Sequence, residues 1–328
     1  MCVSVLYDTI HRESEENDMN IQSIVVAGAG TMGSFMAQIF AEYYDNVVIY
    51  NHREVTLNKA KQRIQDNVQA LVQAGTMTQT QAQRLLGALS YTTEWDCFSS
   101  CDLVVENLAE NLPIKQAFYE KISQVVKPSA IIATNTSGLS INTLAQSVRG
   151  AHRFIGMHWF NPPHLIPLIE IIKGDATDED TAQTIYDLSL KINKKPVVVH
   201  RDVPGFVANR LQFAVLREAL DLVQSGVISK EGIDNVMKYG LGFRYACLGP
   251  LEVSDFGGLD IFYHISSYLM KDLCNSGDVP ELMKQHYDAG EYGVKSSAGF
   301  YDYSGDKAQQ ATKERDEKFL KLYHALYE

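Results

Sequence analysis

The sequence is short of positive charge and contains no long apolar run. It carries 29 Lys and Arg residues against 40 Asp and Glu residues, a net charge of −11. Non-specific nucleic-acid binding depends on neutralising phosphates, so we expect no nucleic-acid partner. No apolar run approaches the roughly 18–20 residues that cross a bilayer, so we expect no membrane partner either.

Cysteine is also scarce, and the five cysteines form no C-x-x-C pair. The chain starts without a basic segment followed by an apolar stretch of roughly 7–15 residues, which predicts no secretion signal. We therefore expect free thiols and a cytoplasmic location. Cys97 and Cys101 lie close together, but no second Cys or His pair accompanies them, so we expect no metal site.

The length of 328 residues predicts about two domains, each large enough for a core of its own, and apolar residues make up 45% of the chain. The segment HRESEENDMN is polar and lacks apolar periodicity, so we expect residues 1–19 to form a loose leader. Residues 20–202 alternate short β-branched strands with helical patterns, whereas residues 203–328 contain helical patterns alone. This order predicts an α/β sheet domain, with a helical hairpin over residues 55–89, followed by an all-α C-terminal domain.

The segment GAGTMG joins the first strand of the sheet domain to a helix. Gly28 permits a tight turn, Gly30 lets the backbone approach a pyrophosphate, and Gly33 lets the helix pack closely on the strand. Together with Thr31 and Met32, these glycines predict a Rossmann-type dinucleotide site at a helix N-terminus. A tight strand–helix turn without a nucleotide would also use glycine.

The end of the second strand bears on the choice of dinucleotide. An Asp or Glu at this place binds the adenosine ribose hydroxyls of NAD and repels the 2′-phosphate of NADP. Asn51 stands there instead, and Arg53 follows it. The expected cofactor is NAD(P), with NADP slightly favoured over NAD. A solvated residue at the start of the next helix is the alternative for Arg53.

His158 and Glu170 lie on two strands joined by a proline-rich turn, in the segment GMHWFNPPHLIPLIEII. A turn centred on His164 makes the two residues direct cross-strand neighbours. A carboxylate beside an imidazole raises its basicity and fixes its tautomer, which suits a general base. A purely structural hydrogen bond between the two side chains fits the spacing equally well.

Several long motifs follow one another along the chain. They are GAGTMG, VVENLAENLPIKQ, ATNTSGLSI, GMHWFNPP with LIEII, DVPGFVANR, and GPLEVSDFGGLD before GFYDY. Over residues 20–303 the chain resembles the 3-hydroxyacyl-CoA dehydrogenases of fatty acid metabolism, including the bacterial 3-hydroxybutyryl-CoA enzymes. The resemblance implies reversible hydride transfer between C3 of a 3-hydroxyacyl-CoA, such as 3-hydroxybutyryl-CoA, and the nicotinamide of NAD(P).

The resemblance also implies roles for individual residues. His158 would be the general base that takes the hydroxyl proton, and Glu170 would orient it. Ser137 and Asn209 would hydrogen-bond the reacting oxygen, where fixed donors stabilise developing charge.

Two further sets of contacts follow from the same resemblance. The nicotinamide-side contacts would be Glu110, Lys115 and Asn161. The positive charges toward the phosphates of coenzyme A would be Lys59, Lys61 and Arg63. From the residues alone, a solvated helix face or a turn position is the alternative reading of these side chains.

Some segments depart from the family pattern. The residues TSG follow Asn135, and the turn after the first strand of the hairpin reads NPPHLIP. The segment GFRYACLGP carries extra residues, and Val294 stands where the family usually has Lys or Arg. These variations resemble the carnitine and gulonate dehydrogenases, which act on free hydroxy acids, so that substrate class stays an alternative. A catalytically silent nucleotide-binding or structural protein is a second alternative. The apolar stretch from Phe206 to Val223 and the resemblance together predict a homodimer through the C-terminal domain.

Overall fold

The structure, a computed structural model, describes residues 21–327. It divides into two compact units, the first ending at Phe206 and the second beginning at Val207. The boundary predicted between residues 202 and 203 lies shortly before this division. The predicted leader, residues 1–19, lies outside the described residues.

One sheet runs through the first unit as far as the structure describes it. Its strands are β1 Ser23–Ala27, β2 Asn46–Tyr50, β3 Leu89–Thr92, β4 Leu103–Glu106, β5 Ile131–Thr134, β6 Phe154–Trp159, β7 Leu168–Ile172 and β8 Lys195–Val199. The order across the sheet is β3-β2-β1-β4-β5-β6-β7-β8. All neighbours run parallel except β6 and β7, which are antiparallel. The strand order reverses at β1 and β4, the place where such sheets open a ligand crevice.

Helices cover both faces of this sheet. They are α1 Thr31–Tyr43, α2 Glu54–Gln73, α3 Gln79–Ala88, α4 Leu112–Ile122, α5 Ile141–Ala145 and α6 Glu179–Lys191. Successive residues of β1 point to opposite faces: Ile24 and Val26 join one buried apolar cluster, and Val25 and Ala27 join another. The predicted α/β class with a Rossmann-type doubly wound sheet is therefore confirmed.

The sequence patterns did not predict β3 or α6, because the pattern of each element is weak. β3 is a four-residue edge strand with the sequence LSYT, too short to show a clear alternation. α6 buries Ala182, Ile185 and Leu188 on one face, but most of its other residues are polar.

The second unit is helical, as predicted. Its helices are α7 Ala208–Gln224, α8 Lys230–Val236, α9 Gly242–Tyr245, α10 Pro250–Gly257, α11 Leu259–Asp272, α12 Glu281–Asp288 and α13 Lys307–Tyr327. A π-helical segment, Met237–Leu241, lies between α8 and α9. No helix within residues 21–327 combines the length and apolar character needed to cross a membrane.

The close approach of α1 to the preceding turn gives a first prediction. A Cβ atom added to Gly33 would lie 1.9 Å from the carbonyl oxygen of Gly28, so the backbone would have to move. We expect Gly33→Ala to lower the free energy of unfolding by about 1–3 kcal/mol or more, measured by urea denaturation.

Gly87, inside α3, provides the matched control, because no described atom lies within 4 Å of a Cβ added there. Gly87→Ala should raise the free energy of unfolding by about 0.5–1 kcal/mol, the usual gain for this exchange in a helix. Unchanged stability of Gly33→Ala would contradict the close packing of α1 on the turn.

Candidate active site

The turn between β1 and α1 is shaped to receive a phosphate group. Gly28 has φ +117°, and a Cβ added there would lie 2.4 Å from the carbonyl oxygen of Asn107. A Cβ on Gly30 would meet no described atom within 4 Å, so this side of the turn is open. Among residues 21–327, no side chain caps the N-terminus of α1. Its N–H groups, at the positive end of the helix dipole, fit the pyrophosphate of a dinucleotide.

Thr31 and Met32 form the first turn of α1, with Thr31 exposed and Met32 half-buried. Asn51 lies directly after β2, where its side-chain oxygen accepts the backbone N–H of Arg53 at 3.0 Å. Arg53 is exposed, and its Nε lies 3.0 Å from Nε2 of the neighbouring His52. The structure therefore places Asn51 at the end of the second strand, as expected from the sequence.

His158 and Glu170 are direct cross-strand partners in the antiparallel pair β6 and β7. The Nδ1 atom of His158 lies 2.9 Å from Oε2 of Glu170, and the two residues are 3% and 1% exposed. The rings of Phe160 and Phe206 lie 4.5 and 5.6 Å from the imidazole ring. The predicted register is confirmed.

This geometry has a direct chemical consequence. With Glu170 ionised, Nδ1 of His158 donates to the carboxylate, so the lone pair of the neutral imidazole lies on Nε2. The neighbouring carboxylate also stabilises the imidazolium that forms when Nε2 takes a proton.

His158 lies at the edge of the sheet where the parallel strands have their carboxyl ends. Thr134, the last residue of β5, pairs with Gly156, so His158 extends past the end of β5. Asn135 follows β5, and its side-chain oxygen accepts the backbone N–H of Trp159 at 2.8 Å. The phosphate turn follows β1 at this same edge.

A fully buried carboxylate, Glu106, ends β4 at this edge. Its two oxygens accept from the Nζ of Lys115 at 2.6 and 2.8 Å. The hydroxyl of Thr134 donates to it at 2.8 Å. The hydroxyl of Tyr119 also donates to this carboxylate. Burial, together with the negative charge of Glu106, raises the pKa of Tyr119 well above its ordinary value. Lys115 is 1% exposed, so the solvated helix face considered from the sequence is wrong for this residue.

Glu110 holds the loop that carries Ser137. One of its oxygens accepts from the backbone N–H groups of Ser137 and Gly138, at 2.9 and 3.1 Å, and from the hydroxyl of Thr136 at 2.5 Å. Its other oxygen lies 3.5 Å from the Nζ of Lys115. Partial burial would raise the pKa of Glu110, but the Thr136 bond and the charge of Lys115 hold it below its ordinary value. Ser137 itself is exposed.

The remaining expected residues lie in three places. Asn161 is exposed at the turn after β6, where its peptide bond to Pro162 is cis. Lys59 and Lys61 are exposed on α2, whereas Arg63 is half-buried and donates to the hydroxyl of Ser34 on α1 at 2.8 Å. The guanidinium of Arg63 therefore ties α2 to α1 in this structure. Asn209 belongs to the second unit, as the second residue of α7.

Two residues that organise this edge, Glu106 and Thr136, were not predicted from the sequence. Glu106 had one available signal, an acidic residue at the end of the buried strand LVVE. Thr136 had no signal, because a hydroxyl in the loop TNTSG looks like an ordinary turn residue.

Two family models match most of the chain. Residues 23–203 match the NAD binding domain of 3-hydroxyacyl-CoA dehydrogenase, and residues 205–303 match its C-terminal domain. The chain is 37% identical over 307 residues to 5-formyl-3-hydroxy-2-methylpyridine 4-carboxylate 5-dehydrogenase of Mesorhizobium japonicum, covering 93% of this chain and 98% of the relative. It is 37% identical over 279 residues to a probable 3-hydroxybutyryl-CoA dehydrogenase of Deinococcus radiodurans, covering 85% and 99%.

The crystal structure of a 5-formyl-3-hydroxy-2-methylpyridine 4-carboxylic acid 5-dehydrogenase, described as an NAD⁺-dependent dismutase, is similar at a TM-score of 0.86 and 36% identity. The match covers 94% of this chain and 99% of that one. The NADP preference expected from Asn51 and Arg53 is not supported. The matching domain is described as NAD binding, and the similar structure is described as NAD⁺-dependent. Taken with the fold and the phosphate turn, these matches show that the chain belongs to the 3-hydroxyacyl-CoA dehydrogenase family and has a nicotinamide cofactor.

Proposed function

We propose that this protein transfers a hydride reversibly between a secondary alcohol and NAD, with His158 as the general base. The observation that carries the proposal is the buried His158–Glu170 pair at the strand edge that also bears the phosphate turn. Family membership makes a 3-hydroxyacyl-CoA, such as 3-hydroxybutyryl-CoA, the first substrate candidate.

In this mechanism Nε2 of His158 takes the proton of the substrate hydroxyl, while Glu170 keeps the proton on Nδ1 and stabilises the imidazolium. The Ser137 hydroxyl and, by the family resemblance, Asn209 hydrogen-bond the oxygen as its charge develops. The bonds from Glu110 to the loop at Ser137 support this placement. A bound nicotinamide supplies the acceptor for the hydride that leaves the alcohol carbon.

The rest of the site serves to hold the cofactor and to orient it. Gly28, Gly30, Thr31, Met32 and Gly33 form the phosphate turn and the helix N-terminus that would receive the pyrophosphate. Glu110 and Asn161 would contact the nicotinamide side, whereas Lys115, which is 1% exposed, would support the site through its ion pairs with Glu106 and Glu110. NAD rather than NADP is the proposed cofactor, in line with the NAD-binding description of the matching domain.

A specific observation favours a second substrate class, a compact hydroxy or formyl compound with a free carboxylate. The pyridine-carboxylate dehydrogenase matches at a TM-score of 0.86, whereas a 3-hydroxybutyryl-CoA dehydrogenase from Ralstonia eutropha matches at 0.73. In addition, Arg63, one of three cations expected to meet coenzyme A, is engaged with Ser34. We also propose a homodimer through the second unit and a cytoplasmic location.

Removal of the base is the direct test of the mechanism. We expect His158→Ala to lower kcat by roughly 100- to 10,000-fold, the usual effect of losing a general base, with NAD affinity retained. His152→Ala is the matched control, because this histidine is exposed, and its kcat should be unchanged. Wild-type turnover in His158→Ala, measured by absorbance of the reduced cofactor, would remove His158 from the mechanism.

The end of β2 allows a test of cofactor choice. We expect Asn51→Asp to raise the NAD-to-NADP ratio of kcat/KM by roughly tenfold or more, because a carboxylate accepts from the ribose hydroxyls and repels a 2′-phosphate. Asn46→Asp adds the same charge at the exposed opposite end of β2 and should leave the ratio unchanged. An unmoved ratio in Asn51→Asp would show that residue 51 does not face the ribose.

A substrate panel separates the two substrate classes. Acetoacetyl-CoA, longer 3-ketoacyl-CoAs, dehydrocarnitine and 5-formyl-3-hydroxy-2-methylpyridine 4-carboxylate are each assayed with NADH or NAD as their chemistry requires. We expect turnover of the CoA thioesters. Turnover of the free acids alone would select the second class. Turnover of none, with NAD still bound, would favour a silent nucleotide-binding protein.

A further inference from the structure

Lys194 is a buried cation that the proposed mechanism does not use. It directly precedes β8 and is 7% exposed. Its Nζ donates to the carbonyl oxygens of Pro163 and Ile166, at 2.6 and 3.0 Å. The same Nζ lies 5.4 Å from the centre of the Trp159 ring. The ammonium therefore lies under the turn that connects β6 to β7.

Burying an ammonium group is costly unless its hydrogen bonds are replaced. Burial lowers the pKa of Lys194 to about 8, while the negative charge of Glu42 acts in the opposite direction. At neutral pH the side chain is therefore mainly charged, and two carbonyl dipoles and an aromatic face stabilise it. A cation held in this way constrains the backbone that supplies the carbonyls.

Contacts other than those of Lys194 also hold the turn over residues 160–167. The backbone N–H groups of Leu165 and Ile166 both donate to the carbonyl of Pro162, at 3.1 and 3.0 Å. The carbonyl of Pro167 accepts from the backbone of Lys195 at 2.9 Å. The ring of His164 packs on that of Phe35 in α1, with centroids 4.5 Å apart. The turn therefore links the β6–β7 pair to the helix that begins at the phosphate turn.

Asn161 lies at the start of this turn, two residues after the end of β6. The cross-strand register holds His158 and Glu170, but Asn161 lies outside the paired residues of β6 and β7. Its position therefore depends on how the turn itself is anchored. Lys194 bonds two carbonyls of the turn at once, from outside the β6–β7 hairpin.

We propose that Lys194 is a positioning residue that holds the 160–167 turn, and with it Asn161, where the nicotinamide half of NAD binds. The inference rests on the proposed function, since it takes NAD as the ligand of this edge. It assigns Lys194 no contact with the substrate or with the reacting atoms.

The test compares NAD with ADP-ribose, which has the same pyrophosphate and adenosine but no nicotinamide. Calorimetric titration of the full chain gives both dissociation constants. In Lys194→Met, which keeps an unbranched side chain one atom shorter and removes the charge, we expect the Kd for NAD to rise about tenfold. The Kd for ADP-ribose should stay within about twofold of its wild-type value.

Two variants serve as controls. Lys195→Met makes the same substitution at the exposed neighbouring residue and should leave both constants unchanged. Lys194→Arg keeps a cation and its donors, and it should restore NAD binding to within about threefold of wild type. If thermal denaturation shows that Lys194→Met does not fold, Lys194→Gln replaces it, because its amide still donates to one carbonyl and the same selective loss is expected.

Each outcome has a distinct meaning. An equal loss of NAD and ADP-ribose binding would show a general structural role and overturn the inference. Unchanged binding of both ligands would also overturn it. If the wild-type chain binds neither ligand, the proposed cofactor is wrong, and the inference falls with it.

Discussion

The proposed chemistry of this protein depends on one buried pair, the imidazole of His158 and the carboxylate of Glu170. Both side chains are nearly inaccessible to water, so each needs a partner inside the protein. The antiparallel register of β6 and β7 provides it by placing the two residues directly opposite each other. A shift of one residue in this register would turn every side chain of one strand to the other face and separate the pair. The other neighbouring strands run parallel, and the β6–β7 hairpin is the part of the sheet that brings the side chains of His158 and Glu170 together.

The same sheet edge contains more negative than positive charge, although it is expected to receive an anionic cofactor. Glu106 and Glu110 contribute two carboxylates, and Lys115 lies within 4 Å of both. These groups are occupied with one another and with the loop at Ser137, so they orient the site. We therefore expect phosphate binding to depend on the backbone N–H groups at the start of α1, which need no side-chain charge. This division suits a chain whose net charge is −11.

Local patterns in the sequence predicted the elements that build the site. The glycines of GAGTMG predicted the phosphate turn, and the hairpin spacing predicted the pairing of His158 with Glu170, which the register confirms. Long-range contacts could not be predicted in the same way. Lys115 looks like a surface lysine until its partner Glu106, on a preceding strand, is brought beside it. Likewise, Arg63 contacts Ser34 and Lys194 contacts Pro163 across about thirty residues of sequence.

The proposed mechanism depends on the position of one proton on His158. Nitrogen-15 NMR of the histidine-labelled protein distinguishes the two neutral tautomers of an imidazole, with His158→Ala identifying the signals. We predict that neutral His158 carries its proton on Nδ1, facing Glu170, and that Nε2 has the free lone pair. A proton found on Nε2 in the neutral form would contradict the assignment of His158 as the base.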